Sequence, residues 1–197
     1  MKNIPALDSK VLDLVTEISK EPKVEAAMAF IKDQTEVAMQ EQIELCEIEA
    51  PTFHEEKRAA SVAERMKQYG LTDVHIDEIG NVIGIRKGTG SGPVLAIGAH
   101  MDSVFPAGTD VKVKKEGNIY RAPGIGDNCS GLRALLQVLR AMEKEDIRTV
   151  GDIWFVGTVG EEGNGDIRGS KHLCANNKLD GFVAVSYTHL TLPTIRL

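Results

Sequence analysis

Residues 93–103 read PVLAIGAHMDS, an apolar run that ends in polar residues. The part before His100 is apolar on both faces of an extended chain, which is typical of a strand inside a sheet that helices cover. Open α/β sheets bind ligands beyond the carboxyl ends of their strands. If the chain stays extended, His100 and Asp102 lie on one side, so the carboxylate can accept the second imidazole N–H. A capped strand end with a hydrogen-bonded histidine is the alternative.

Helical patterns precede this strand. Apolar residues at steps of three and four predict an amphipathic helix from Ile4 to Ile18. A second helix, roughly 40 Å long at the usual rise per residue, is predicted from Pro22 to about Ile48. Thr52, with Glu55 three residues later, has the spacing of a capping box and predicts a third helix that ends near Gly70.

Strand and helix patterns alternate in the rest of the chain. Tight reversals at Gly80-Asn81 and Gly117-Asn118 predict two hairpins. Leucines at helical spacing predict a helix just after GIGDN, and the apolar run 151–159 predicts a second central strand. A helix over 167–177 and a strand at 181–185 complete the pattern. We therefore expect an α/β three-layer sandwich with a mixed, mostly parallel sheet and helices on both faces.

The composition excludes several classes of protein. Lysine and arginine number 23 against 29 acidic residues, a net charge of −6 without a basic cluster, so nucleic acid is not an expected partner. The start lacks a signal peptide and no apolar run approaches the roughly 20 residues that span a bilayer, so we expect a soluble, cytoplasmic protein without a membrane partner. Cys46, Cys129 and Cys174 are odd in number and widely spaced, which predicts buried, reduced thiols.

Two further segments place acidic residues near predicted strand ends. Asp127 precedes a predicted helix, whose dipole favours an ionised carboxylate, although an ordinary N-cap is the alternative. Glu161 and Glu162 follow the strand 151–159, and their side chains point in different directions, so one could bind a metal while the other accepts a proton from water. Solvated surface glutamates are the alternative. A histidine with carboxylates and no cysteine suits zinc, cobalt or manganese in a hydrolytic centre.

The segments HMDSVFP (100–106), APGIGDNCSGL (122–132) and VGTVGEEGNGDIRGSKHL (156–173) resemble, in order and spacing, the dinuclear zinc peptidases and deacylases. That family includes tripeptide aminopeptidase, glutamate carboxypeptidase and acetylornithine deacetylase, and the resemblance covers about residues 40 to 185. It implies that His100 binds one zinc ion and that Asp102 orients His100. It also implies that the carboxylate of Asp127 bridges two zinc ions and that the peptide bond between Asp127 and Asn128 is cis. Glu162 would bind the second ion, and Glu161 would be the general base.

The resemblance further implies hydrolysis of amide bonds in short peptides, of the aminopeptidase or dipeptidase type, by a water activated between two zinc ions. Cobalt or manganese are alternatives to zinc. A deacylase of N-acyl amino acids or a carboxypeptidase of the same family is the second possibility. From other classes, a non-enzymatic α/β interaction domain and a cysteine hydrolase that uses Cys129 with His100 remain alternatives.

The resemblance sets expectations for domain organisation as well. Residues 1–185 are expected to form a partial catalytic domain, with a helical amino-terminal segment at 1–48, and residues 186–197 to be a non-native tail. We expect the family's lid domain and its remaining metal ligands to have no counterpart in this chain, and full-length relatives to form homodimers through that lid. We therefore expect this chain to bind zinc weakly and to have little or no activity.

Overall fold

The computed structural model describes residues 8–186, so the first residues of the helix predicted from Ile4 and most of the predicted tail lie outside the described residues. The strands are β1 (Asp73–Ile76), β2 (Val82–Arg86), β3 (Leu95–His100), β4 (Lys114–Glu116), β5 (Ile119–Arg121), β6 (Ile153–Thr158) and β7 (Gly181–Ala184). The helices are α1 (Ser9–Ser19), α2 (Pro22–Asp33), α3 (Thr35–Cys46), α4 (Glu56–Gln68), α5 (Cys129–Lys144) and α6 (Arg168–Asn176).

Five strands form one mixed sheet in the order β1-β2-β6-β3-β7, and β4 and β5 form a separate hairpin. The strand β3 runs parallel to both of its neighbours, β6 and β7, whereas β2 runs antiparallel to β1 and β6. The predicted mixed sheet, the central β3 strand and both hairpins are confirmed. The prediction that the sheet is mostly parallel is wrong, because β1 and β2 join it through antiparallel pairings and only two of its four pairings are parallel. In the β3–β6 register His100 lies opposite Thr158, so the loops after these two strands meet at one edge.

Helices cover both faces of the sheet, as the sequence pattern predicts. On one face α3, α4 and α5 form the main core, which includes Leu45, Val62, Met66, Leu132, Leu136 and Phe155. On the other face Leu173 of α6 packs with Ile83, Ala96 and Val156. These two apolar layers bury the faces of β3 and β6 and so fix the strand ends that carry the polar residues.

The predicted continuous helix from Pro22 to Ile48 is wrong, because the chain breaks into α2 and α3 at Gln34. The hydroxyl of Thr35 donates to the carbonyl of Lys32 at 2.6 Å, and the Gln34 side chain accepts a hydrogen bond from Arg140 of α5 at 3.0 Å. The break allows both helices to contact α5. Tertiary packing therefore decides where the helix stops.

The prediction that Thr52 caps the third helix is also wrong. The cap of α4 is Glu55, whose side chain makes no capping hydrogen bond, and the Thr52 hydroxyl donates instead to Asp102. The end near Gly70 is confirmed by the positive φ of that glycine, 102°.

Cys46 and Cys129 are buried as predicted, whereas Cys174 is exposed. Across residues 8–186 none of the helices has the length and apolar character that a membrane span requires.

Candidate active site

His100 stands at the end of β3 and is only 4% exposed. Its Nδ1 atom faces Asp102, with the Asp102 carbonyl oxygen at 3.1 Å and carboxylate Oδ1 at 3.4 Å. Its Nε2 atom faces the opposite way, with Asp127 Oδ1 at 3.0 Å and Glu161 Oε2 at 3.9 Å. A proton on Nδ1 is therefore stabilised by Asp102, which leaves Nε2 directed at the other carboxylates.

Asp102 is fully buried and links the two loops at the edge of the sheet. Its Oδ1 accepts a hydrogen bond from the Glu161 N–H at 2.9 Å, and its Oδ2 accepts one from the Glu162 N–H at 3.0 Å. The Thr52 hydroxyl donates to the same Oδ2 at 2.9 Å. The expected contact between Asp102 and His100 is present, and Asp102 also positions the backbone of both glutamates.

The pKa values of this pair reflect their mutual contact. Burial by itself lowers the pKa of His100, but the hydrogen bond and charge of Asp102, with the charges of Glu161 and Asp127, raise it to about 9. Burial likewise raises the pKa of Asp102, but His100 and the backbone N–H groups of Glu161 and Glu162 lower it to about 2. Without a metal, the site therefore favours an imidazolium beside a carboxylate.

Asp127 lies in the loop that leads into α5, and its side chain is 45% exposed. The N-cap of α5 is the next residue, Asn128, whose Oδ1 accepts the Gly131 N–H at 3.1 Å and whose Nδ2 donates to the Val185 carbonyl at 2.8 Å. The reading of Asp127 as an ordinary N-cap is therefore wrong. The peptide bond between Asp127 and Asn128 is cis. Since Asn128 supplies the cap, the Asp127 carboxylate is free to face His100.

All three predicted metal ligands come together. Ligand atoms of His100, Asp127 and Glu162 all lie within 4.8 Å of one another, although the residues belong to three separate segments. Burial raises the pKa of Glu162, and the negative charge of Asp127 raises it further. Within residues 8–186 no lysine or arginine forms an ion pair with these residues or with Glu161. The cluster is thus a set of like charges that a bound cation would stabilise.

A second ion pair, which sequence analysis missed, supports the loop of Glu161 and Glu162. Glu55 is buried and its Oε1 accepts the N–H of Gly160 at 2.9 Å. The Arg168 guanidinium donates to both oxygens of Glu55 at 3.2 Å, and also to the Ile79 carbonyl at 2.9 Å. Gly160 has φ of 58°, a conformation that favours glycine, and Arg168 occupies the space beside it. The sequence signal for Glu55 is its position in the capping pattern, which does not predict its contacts with Gly160 and Arg168.

The residues fit a first-row metal. One imidazole nitrogen and several carboxylates, with no thiolate among them, form the donor set that suits zinc, cobalt or manganese in a hydrolytic site. The proton on Nδ1 of His100 and the buried Asp102 behind it match the outer hydrogen bond that metal-bound histidines usually make.

Another group, Asp77, Glu78 and His172, also brings three ligand atoms within 4.8 Å. Its hydrogen bonds account for it. His172 Nε2 lies 2.9 Å from Glu78, and the Asp77 carboxylate accepts from Ile79 N, Asn81 N and Asn81 Nδ2 in the β1–β2 turn. We therefore interpret this group as structural.

Comparison with known proteins gives a consistent picture. A LysW-lysine/LysW-ornithine hydrolase from Pyrococcus abyssi is 35% identical over 120 residues, which cover 61% of this chain and 32% of the relative. A tripeptidase from Staphylococcus aureus is 30% identical with a TM-score of 0.63, over 76% of this chain and 42% of that structure. Aminopeptidase PepT from Bacillus cereus has a TM-score of 0.65 at 24% identity, over 77% and 43% of the two chains, which supports the fold alone.

The chain therefore spans about a third of the length of this curated relative. A family model described as "Peptidase family M20/M25/M40" matches residues 96–195, a segment that contains His100, Asp102, Asp127, Glu161 and Glu162. The α/β sandwich, the three converging segments and this match lead to one conclusion: the chain belongs to peptidase family M20/M25/M40.

Proposed function

We propose that the protein is a metal-dependent hydrolase that cleaves amide bonds of short peptides, with two zinc ions held by His100, Asp127 and Glu162. The observation that carries the proposal is the approach of ligand atoms from these three residues to within 4.8 Å of one another. They come from three separate segments, so local sequence alone does not account for the cluster. Cobalt or manganese would suit the same donor set.

Each residue would have a distinct role. His100 would bind one ion through Nε2, Glu162 would bind the other, and Asp127 would bridge them. When bound, the ions would polarise the amide carbonyl. They would also lower the pKa of water, so that water loses a proton more readily and attacks the carbonyl carbon. Glu161 would accept the proton of the attacking water and pass it to the amine that leaves. Asp102 would hold the Nδ1 proton of His100 so that Nε2 keeps its lone pair for binding.

The peptidase assignment draws on the likeness to a tripeptidase at 30% identity. A deacylase or carboxypeptidase of the same family is the second candidate. The LysW-lysine/LysW-ornithine hydrolase from Pyrococcus abyssi favours it, because its name does not describe a peptidase. A cysteine hydrolase is disfavoured, since Cys129 is fully buried in the core.

We also propose that the 197-residue chain by itself binds zinc weakly and has little activity. With Asp127 shared between two ions, these three ligands, which come from the described residues 8–186, would provide two protein ligands for each ion. Catalytic zinc sites usually have three. The deficit predicts affinity weaker than micromolar and hydrolysis near the background rate.

A zinc titration against a low-affinity chromophoric chelator, which binds zinc no more tightly than the chain is expected to, tests the metal site. The unaltered chain should compete for zinc, and Asp127→Ala should weaken its affinity at least about tenfold, a typical loss for a removed ligand or its support. The control is Asp13→Ala, an exposed acidic residue on α1. Equal affinity of both variants would favour the interaction-domain alternative. Sub-micromolar binding of two zinc ions per chain would contradict the weak-binding proposal.

A hydrolysis assay separates the two candidate functions. A full-length relative should be tested on tripeptides and on N-acetyl amino acids with zinc or cobalt present, beside the chain itself and a variant of the residue that corresponds to Glu161. Cleavage of tripeptides supports the peptidase, whereas cleavage of N-acetyl amino acids alone supports the deacylase. Metal-dependent hydrolysis that survives Glu to Gln at the position of Glu161 would contradict its role as the base.

A further inference from the structure

A cavity of about 320 Å³ opens beside Glu162. Its walls come from three loops, residues 51–53, 103–106 and 162–164. The second of these loops follows Asp102 directly and the third begins with Glu162 itself. The cavity is therefore continuous with the candidate active site.

Large apolar side chains are exposed in this cavity. Phe53 is 49% exposed, Val104 62% and Phe105 36%. They belong to two different loops but line the same space, together with Pro51 and Pro106. Grouped exposed apolar residues of this kind mark surfaces that bind a ligand or a partner.

The apolar wall is fixed relative to the polar site. The Ser103 N–H donates to the Ala50 carbonyl at 2.9 Å, which ties the two loops together. Thr52 donates to Asp102, and the Arg168 guanidinium lies 5.2 Å from the centre of the Phe53 ring. Phe53 has φ of 76°, in the left-handed region that large side chains rarely adopt. Such strained positions cluster at functional sites, where surrounding contacts hold them.

Apart from Glu162, the described residues that line the cavity carry no charge that could pair with a charged substrate group, although the polar side chains of Ser103 and Asn164 also line it. Among the described residues that line it, Glu162 alone is charged, and the proposed function commits that carboxylate to a metal. The Thr52 hydroxyl is already used by Asp102. A basic side chain placed there would lose its water without gaining a counter-charge, which is unfavourable.

We propose that this cavity is the subsite for an uncharged, apolar side chain of the amino acid next to the amide that is cleaved, with Phe53, Val104 and Phe105 as specificity-determining residues. The inference rests on the proposed function and adds its substrate class. It sets this chain apart from the relatives whose names refer to lysine and ornithine.

Two matched probes test the subsite, the hydroxamates of L-norleucine and L-lysine. They share the metal-binding group and the straight side chain, and lysine adds the terminal ammonium. Titration calorimetry on the zinc-loaded chain should give affinity for the norleucine compound about tenfold or more above that for the lysine compound, as expected where a charged group meets an apolar pocket.

Substitutions in the wall provide the second measurement. Val104→Ser combined with Phe105→Ser should lower the affinity for norleucine hydroxamate about tenfold, because apolar contact area is lost, and leave zinc affinity and lysine binding unchanged. Both residues are exposed, so the fold should tolerate the change. The control is Val150→Ser, which is 61% exposed and precedes β6, at the end of the sheet opposite the site.

The outcomes separate the two proposals. Bound zinc with equal or stronger binding of the lysine compound overturns the subsite and leaves the proposed function standing. The same holds if the double variant binds norleucine hydroxamate as well as the Val150→Ser chain does. A chain that binds no zinc overturns both proposals.

Discussion

Asp102 receives the backbone N–H of Glu161 at 2.9 Å on the same carboxylate oxygen that lies 3.4 Å from His100 Nδ1. One buried carboxylate therefore holds the imidazole at the end of β3 and the glutamate loop that follows β6. The positions of a predicted ligand and of the predicted base are therefore coupled through Asp102, which is not itself a predicted metal ligand.

Asp102→Asn should weaken both zinc binding and the fold. An amide has one acceptor oxygen, so a backbone N–H of Glu161 or Glu162 would face an NH₂ group, at a cost of about 1–3 kcal/mol in the free energy of unfolding. Chemical denaturation and the chelator titration measure the two effects. Asp152→Asn is the control, because Asp152 accepts the Gly88 N–H in a loop at the other end of β6. Unchanged zinc affinity in Asp102→Asn would contradict the coupling.

Glu55→Ala should destabilise the protein by about 2 kcal/mol, because it removes the acceptor of Gly160 and strands the partly exposed Arg168 guanidinium. The loop that carries Glu161 and Glu162 should also lose its support, so zinc affinity should fall. Glu56→Ala changes the exposed neighbour on α4 and is the matched control. Two variants with the same unfolding free energy and the same zinc affinity would show that Glu55 does not support the loop.

The metal-free chain should lose stability as the pH rises from neutral to alkaline values. The folded-state pKa of His100 is about 9, above its ordinary value of 6.5. Protonation of His100 thus stabilises the fold fully below the unfolded pKa, and this contribution disappears as the pH rises through the folded pKa. Thermal unfolding in the presence of a chelator, from pH 6 to pH 9.5, should give a steeper decline than in His100→Gln. Parallel pH profiles would contradict the raised pKa.

Much of the fold could be predicted because its signals are local. The apolar run that forms β3 and the glycines of the two hairpins reflect the period of a buried strand and the need for positive φ at Gly80 and Gly117. The break at Gln34 could not, since no proline or glycine marks it and packing on α5 determines it. At Gln34 the packing of α2 and α3 on α5 outweighs the helix propensity of the local sequence.

The candidate site shows the same division. His100, Asp127 and Glu162 could be proposed as neighbours because strand ends gather at one edge of a sheet. The roles of Thr52 and Glu55 could not, because they act through contacts with residues 50 and 105 positions away along the chain. Both residues match a capping pattern, so the sequence predicts a local role for them and not their contacts with Asp102 and Gly160.

We propose above that His100, Asp127 and Glu162 share a metal centre. Crystals of the chain grown with zinc, measured above and below the zinc absorption edge, test it most directly. A shared centre should give an anomalous peak at about 2.0–2.2 Å from His100 Nε2 and from a carboxylate oxygen of Asp127, with Glu162 at bonding distance of the same or an adjacent peak. Zinc found only elsewhere, for example between Glu78 and His172, would contradict it.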